Sequence, residues 1–240
     1  VKQGKLENGF TVKTAEQIAN CSGLDYIPLC GVVDTLEHPY TDAQIRYLVA
    51  LQADGSIVKN RHLFGFRRER KIIRMNELLV DLGFKFARVL QANGTTLFTV
   101  TPPSEFAVED KNFGSWILKL SARQLGLFVD ELRYWDGNSN SNNGSLEYNS
   151  TVMDNVLWVD TAMRLCGRFS GVYGYNYSHG TTDKDTPYCW RLYERTSRYG
   201  SIDTKRHVTT QEFDGIVYCP KVDSDRILVR HNNKICVVHQ

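Results

Sequence analysis

The sequence predicts an α/β domain with pseudo-twofold symmetry, because one order of segments occurs twice in the middle of a 240-residue chain. Each pass runs helix, Asp-Gly, strand, helix, Gly, then paired strands, and Asp136 lies 82 residues after Asp54. Self-similarity of this kind is a fold-level signal that takes precedence over single residues. A second observation is composition: 42% hydrophobic and 11% aromatic residues are ordinary for a packed globular chain.

The first helix is predicted over Thr41 to Ala53. Thr41 or Asp42 supplies the N-cap, Ile45, Leu48, Val49 and Leu51 are spaced for one apolar face, and Gly55 after Asp54 permits a left-handed exit. A strand-like piece at His62 to Phe66 leads to a second amphipathic helix carrying Ile72, Ile73, Met75, Leu78, Leu79 and Leu82, closed by Gly83. Phe84 to Leu90 and Thr95 to Val100 flank Asn93-Gly94, a strong hairpin signal. In the second pass, Ser121 to Trp135 is helical and ends at Asp136-Gly137. Asn138 to Ser145 is a loop by composition, Leu146 to Tyr148 is strand-like, and Val152 to Leu165 is a helix ending at Cys166-Gly167. Phe169 to Tyr177 and Tyr188 to Glu194 are aromatic-rich strands.

Charge and cysteine content bound the function. A net charge of +2 does not by itself announce a nucleic-acid binder. Its distribution says more: Arg67, Arg68, Arg70, Lys71 and Arg74 form one basic cluster, and Arg191, Arg195, Arg198, Lys205 and Arg206 a second, one in each half. No apolar run approaches membrane-spanning length, and the first residues lack the apolar core of a signal peptide. The six cysteines have no metal-ligand spacing, so the expectation is a reducing, intracellular setting with mostly buried thiols.

Two helices that each end in Asp-Gly about a pseudo-twofold axis bring two carboxylates together. Adjacent carboxylates repel unless a cation lies between them, which suits divalent metals. Metals held there activate water and stabilise the leaving oxygen of a phosphodiester. The strands that follow each helix form a curved sheet suited to laying basic and polar side chains in a DNA major groove.

The segment Leu48-Val49-Ala50-Leu51-Gln52-Ala53-Asp54-Gly55 resembles a LAGLIDADG motif, and Leu125 to Gly137 resembles the degenerate second motif of intein-borne members. The resemblance covers roughly residues 40 to 200. It implies a monomeric homing endonuclease that cuts a long, asymmetric double-stranded DNA site with Mg²⁺, with Asp54 and Asp136 as metal ligands. Arg67, Lys71 and Arg191 are candidates for transition-state stabilisation. Together with Arg68 and Arg70 they are also expected phosphate contacts, which position DNA without reading it.

The C-terminus, from Glu212 to Cys219 and from Ile227 to Gln240, reads as a pair of strands with a turn at Asn232-Asn233. It resembles the C-terminal splicing block of inteins, which ends in His-Asn. The resemblance implies that His239 polarises the terminal carbonyl or protonates the leaving amine, that Gln240 cyclises, and that Cys219 assists the branched intermediate. Gln240 stands where the family has Asn, and Cys219 where it usually has Asp. The N-terminal Cys or Ser and the Thr-x-x-His block of inteins are not visible, so the chain is expected to start inside the splicing domain.

The resulting expectation is an α/β LAGLIDADG domain, residues 39 to 200, with pseudo-twofold αββαββα repeats. It is inserted into an all-β Hint splicing domain formed by residues 1 to 38 and 201 to 240, which should pair with each other. The expected partners are double-stranded DNA, an N-terminal intein fragment and flanking exteins, with no membrane. One alternative is a C-terminal split-intein fragment whose endonuclease domain is inactive and only binds DNA or is structural. A free-standing LAGLIDADG protein is the third reading.

Overall fold

The computed structural model describes residues 11–21, 23–106, 108, 110–140, 143–176, 188–197, 199–216, 218, 220–232 and 234–239. Along the chain come helix α1 (Ala15–Ala19), strand β1 (Leu24–Pro28), helix α2 (Asp42–Asp54) and strands β2 (Gly55–Val58) and β3 (Arg61–Phe66). Helix α3 (Glu69–Leu82) and strands β4 (Lys85–Leu90) and β5 (Thr96–Thr101) complete a first half. The second half is α4 (Ala122–Glu131), β6 (Gly137–Ser139), β7 (Leu146–Ser150), α5 (Met153–Leu165), β8 (Phe169–Asn176) and β9 (Tyr188–Arg195). Last come β10 (Tyr199–Asp203), α6 (Thr204–His207), β11 (Arg226–His231) and β12 (Lys234–His239). Two compact units result: residues 31–196, and residues 1–30 with 197–240.

The larger unit is a doubled αββαββ. Its two sheets are antiparallel with strand orders β2-β3-β5-β4 and β6-β7-β9-β8, the same topology twice. The duplication extends to helix starts. Thr41 accepts from the Gln44 N–H while Gln44 reaches back to the Thr41 N–H, and Ser121 and Gln124 make the same capping box on α4. These boxes fix where both helices begin, and Thr41 rather than Asp42 is the cap. The α-helix expected as the seventh element of each repeat is not seen among the described residues of this unit, where 3-10 turns at Ser104–Phe106 and Ser115–Lys119 follow β5.

Several elements differ from the sequence expectation for identifiable reasons. α2 is buried on most of its circumference, with Ile45, Tyr47, Val49, Ala50 and Leu51 at 0% exposure, because it packs on α4 and on its own sheet at once. Gly55 leaves α2 in an extended conformation, φ −85°, and starts β2 directly. α4 gives way to a 3-10 turn at Leu132–Tyr134 instead of running on to Trp135. The predicted 138–145 loop begins as β6. Gly83 does take the left-handed exit, φ 63°, and β4 and β5 form the expected hairpin, with Gly94 at φ 78° in its turn.

The smaller unit contains two ladders. β1 and β10 pair antiparallel, Leu24 opposite Asp203 and Pro28 opposite Tyr199, so the segments flanking the larger unit do meet. β11 and β12 form a terminal hairpin from Arg226↔His239 to His231↔Lys234, turning through Asn232 at φ 47°. The described residues between 212 and 220 form no strand, so this hairpin replaces the expected pairing with Glu212 to Cys219. Of the described cysteines only Cys189 is buried, and the other four are half-exposed.

Candidate functional site

α2 and α4 lie against each other in the core of the larger unit; α2 ends on Asp54, and α4 reaches Asp136 through the 3-10 turn Leu132–Tyr134. Both ends are closed by a glycine where nothing larger fits. A Cβ on Gly55 would stand 2.6 Å from the Leu51 carbonyl oxygen, and one on Gly137 2.6 Å from that of Leu132. The Asp-Gly pairs are therefore the same device used twice: the chain folds hard against the last helical turn and starts a strand at once. The carboxylates are held at the helix C-termini, where the macrodipole adds partial negative charge.

The two carboxylates feel each other. Asp136 is raised above the usual carboxylate pKa. Withdrawal from water is the main cause, the Asp54 charge adds to it, and Lys71 and Lys111 oppose it. As a residue Asp136 is exposed, so the withdrawal of its carboxyl from water is partial: it is wetted from one side and crowded from the others. Beneath it, Tyr148 is buried opposite Gly137, and its hydroxyl is held un-ionised first by burial and then by the Asp136 charge.

Two lysines balance the two aspartates. Lys71, from the first turn of α3, donates to Asp54 Oδ2, and its side chain is only 11% exposed. Lys111, from the segment joining the halves, donates to the Gly55 carbonyl at 3.2 Å. Lys111 is the member that sequence reading missed, since a lone lysine in a connecting segment has no periodicity or motif to mark it.

This donor set fits a hard divalent cation. Two carboxylates from opposite halves lie near enough for the Asp54 charge to help raise the Asp136 pKa, and oxygen donors suit Mg²⁺ or Mn²⁺. Among the described residues no group of three or more His, Cys, Asp or Glu converges, so the remaining ligands would be water and substrate oxygens, as Mg²⁺ prefers.

The five cations expected to contact DNA fall in different settings. Arg67 is exposed and donates to Thr95 Oγ1 at 3.2 Å. Arg68 is the N-cap residue of α3, exposed, with no side-chain cap bond. Arg70 is exposed and bonds the Tyr134 carbonyl at 2.8 Å, reaching into the other half. Lys71 is in the aspartate site. Arg191 lies on β9, with Nε donating to Asn149 Oδ1 at 2.9 Å and Nη2 to the Tyr175 hydroxyl at 3.2 Å. Arg74, counted in the basic cluster, is committed instead to the buried Glu131 and stacks on Tyr134 with its guanidinium carbon 3.7 Å from the ring centroid. Trp135 Nε1 also donates to Glu131, at 2.9 Å. This lock behind the Asp136 turn was not legible in the sequence, because Arg74 and Glu131 are 57 residues apart.

Of the residues expected to take part in splicing, His239 ends β12, exposed and opposite Arg226. Cys219 and Gln240 lie outside the described residues, as does Arg198.

No protein-family profile matches the chain, and no curated protein is significantly similar to it. Among solved structures, it is similar to mesophilic variants of the homing endonuclease I-DmoI at 13% identity and a TM-score of 0.44, over 65% of this chain and 89% of that one. It is similar to I-DmoI in complex with DNA and calcium at 13% identity and a TM-score of 0.46, over 65% and 83%. The N-terminal LAGLIDADG domain of DUF199/WhiA matches at 12% identity and a TM-score of 0.44, over 66% and 78%.

Proposed function

We propose that the larger unit is a divalent-metal-dependent endonuclease acting on double-stranded DNA. The observation that carries this reading is the meeting of Asp54 and Asp136, one from each half of a doubled fold, flanked by Lys71 and Lys111. A duplex is the matching substrate, since its two antiparallel strands are themselves related by a pseudo-twofold axis. Asp54 and Asp136 would hold the cation, which when bound activates water and stabilises the leaving oxygen. Lys71 neutralises Asp54 in the free protein and lies where it can turn to a phosphate oxygen. Lys111 adds a second positive charge over the same point.

The basic first turn of α3 supports the same partner. Arg67, Arg68, Arg70 and Lys71 crowd the positive end of a 14-residue helix, which is unfavourable for the free protein and is relieved by a polyanion. The outer faces of the two sheets would lie along the major groove.

Incubating the full chain with a randomised duplex library and Mg²⁺, and sequencing the cut ends, tests this reading. The expected result is cleavage at one long, asymmetric site, with binding that weakens as salt rises. Binding without cleavage under any divalent cation would favour the inactive alternative, and no binding at all would sink both.

For the smaller unit we propose a part in protein splicing. The pairing of β1 with β10 around the insertion, and the closing hairpin that carries His239, support it. In that reaction His239 would polarise the carbonyl after which the chain is cut, Gln240 would cyclise, and Cys219 would assist the branched intermediate. Mixing the chain, extended after Gln240 by an extein that begins on Cys, Ser or Thr, with a segment that begins on Cys or Ser and carries a tagged extein should yield the two exteins ligated, as read by mass spectrometry. An unchanged mixture would count against this role.

A further inference from the structure

The outer faces of the two sheets share a topology but not a chemistry. In the first sheet, the pleat and the register put Ser56, Leu63, Thr99 and Ala87 in one row and Gly65, Leu97 and Val89 in the next. Phe64, Phe66, Phe98 and Val100 face inward and are buried, so these two rows are the outward ones. These two rows carry no charged residue and are apolar at the centre; Arg61 and Lys85 stand in the row beyond Ser56 and Ala87, Arg67 bonds Thr95 at the opposite end, and Val89 is 57% exposed.

In the second sheet Tyr148 and Leu192 face inward, and the outward rows carry Asn138, Glu147 and Tyr193, then Asn149, Arg191 and Tyr173. Two arginines lie over tyrosine rings on this face. Arg191 is 4.8 Å from the Tyr175 centroid, and Arg195 is 4.8 Å from that of Tyr193. Arg191 is fixed further by its bonds to Asn149 and Tyr175, and Tyr175 bonds Asn149 at 3.3 Å. Gly171 opposite Tyr193 lets that phenol lie flat, since a Cβ there would stand 2.6 Å from the ring.

Base edges in the major groove answer to these chemistries. Thymine presents a methyl group that prefers apolar contact, whereas guanine presents two acceptors that match a held guanidinium fork. We infer that the two sheets read unlike half-sites of one duplex, the first selecting thymines and the second selecting guanines through Arg191 and Arg195. This rests on the nuclease reading above. Arg191 and Arg195 are four residues apart on β9, about 13 Å at ~3.3 Å per residue. At about 3.4 Å per base pair that spans about four steps of the duplex, so the two guanines are about four base pairs apart.

The test is selection of bound duplexes by the full chain in EDTA, where nothing is cut, from a library with both half-sites randomised. The expected result is one thymine-rich half and one half with two guanines about four base pairs apart. Arg191→Lys, which keeps the charge but not the fork, should lose preference for one of those guanines by about tenfold and leave the thymine half unchanged. Leu97→Gln should relax only the thymine half. Halves of the same composition, uniform weakening by Arg191→Lys, or selection of single strands over duplex would each overturn the inference. Salt-sensitive duplex binding without guanine preference overturns this inference alone, whereas failure to bind duplex removes the nuclease reading with it.

Discussion

Asp54→Asn and Asp136→Asn should each lower the DNA cleavage rate by about a thousandfold or more while leaving duplex affinity within a few-fold. Each removes one of the two carboxylates on which the cation and the reacting water depend, and neither removes a basic side chain, although Asp54→Asn releases Lys71 from its ion pair. Asp136→Asn should also make the free protein more stable at pH 7. A carboxyl whose pKa is raised on folding is protonated in both states well below the usual carboxylate range, so it costs nothing there. As pH rises the unfolded chain loses its proton first, and stability falls until the raised folded-state pKa is passed. The asparagine variant escapes that loss, so its melting temperature at pH 7 should exceed the parent's and the gain should vanish near pH 3. A lower melting temperature at pH 7 would show that Asp136 makes stabilising contacts in the free protein. Cleavage retained by either variant would remove the metal-binding assignment.

Glu131→Ala should cost about 3–5 kcal/mol of stability. The Glu131 side chain is 1% exposed. It accepts from both nitrogens of a forked pair with Arg74 and from Trp135 Nε1, and Arg46 Nε lies 3.7 Å away. Removing the carboxylate strands a half-buried guanidinium and a buried indole N–H with no acceptor. Since Trp135 precedes Asp136, the aspartate turn loses its backing too. Urea unfolding followed by tryptophan fluorescence reads the change. A loss below about 1 kcal/mol would mean that the cluster is replaceable by water. Glu131→Gln keeps the shape and one acceptor, and should fall between parent and alanine.

Much of this was legible because it is written in local chemistry. Thr41 and Ser121, each with glutamine three residues on, mark helix starts, and Asp54-Gly55 and Asp136-Gly137 mark the ends. Asn93-Gly94 marks a hairpin. β2 and β6 were hidden because they have four and three residues and begin on the glycine that ends the preceding turn, so they show no alternation. The aspartate pair followed from symmetry, but its lysines did not. Lys71 reads as a candidate for transition-state or phosphate contact, but its pairing with Asp54 emerges only when α3 brings it back, and Lys111 has no local signal at all. Arg74 reads as part of a polyanion surface, whereas the fold commits it to Glu131 behind the Asp136 turn, and exposed Arg70 also reaches that turn through the Tyr134 carbonyl.

The ladder between β1 and β10 bears on how such a chain is assembled over generations. Pro28 and Tyr199 are neighbours across two antiparallel strands, yet 170 positions of sequence lie between them. The polypeptide leaves and returns at one seam, so gain or loss of everything between the two strands need not re-register either of them. A segment bounded in that way can be exchanged for a shorter one while both strands keep their partners.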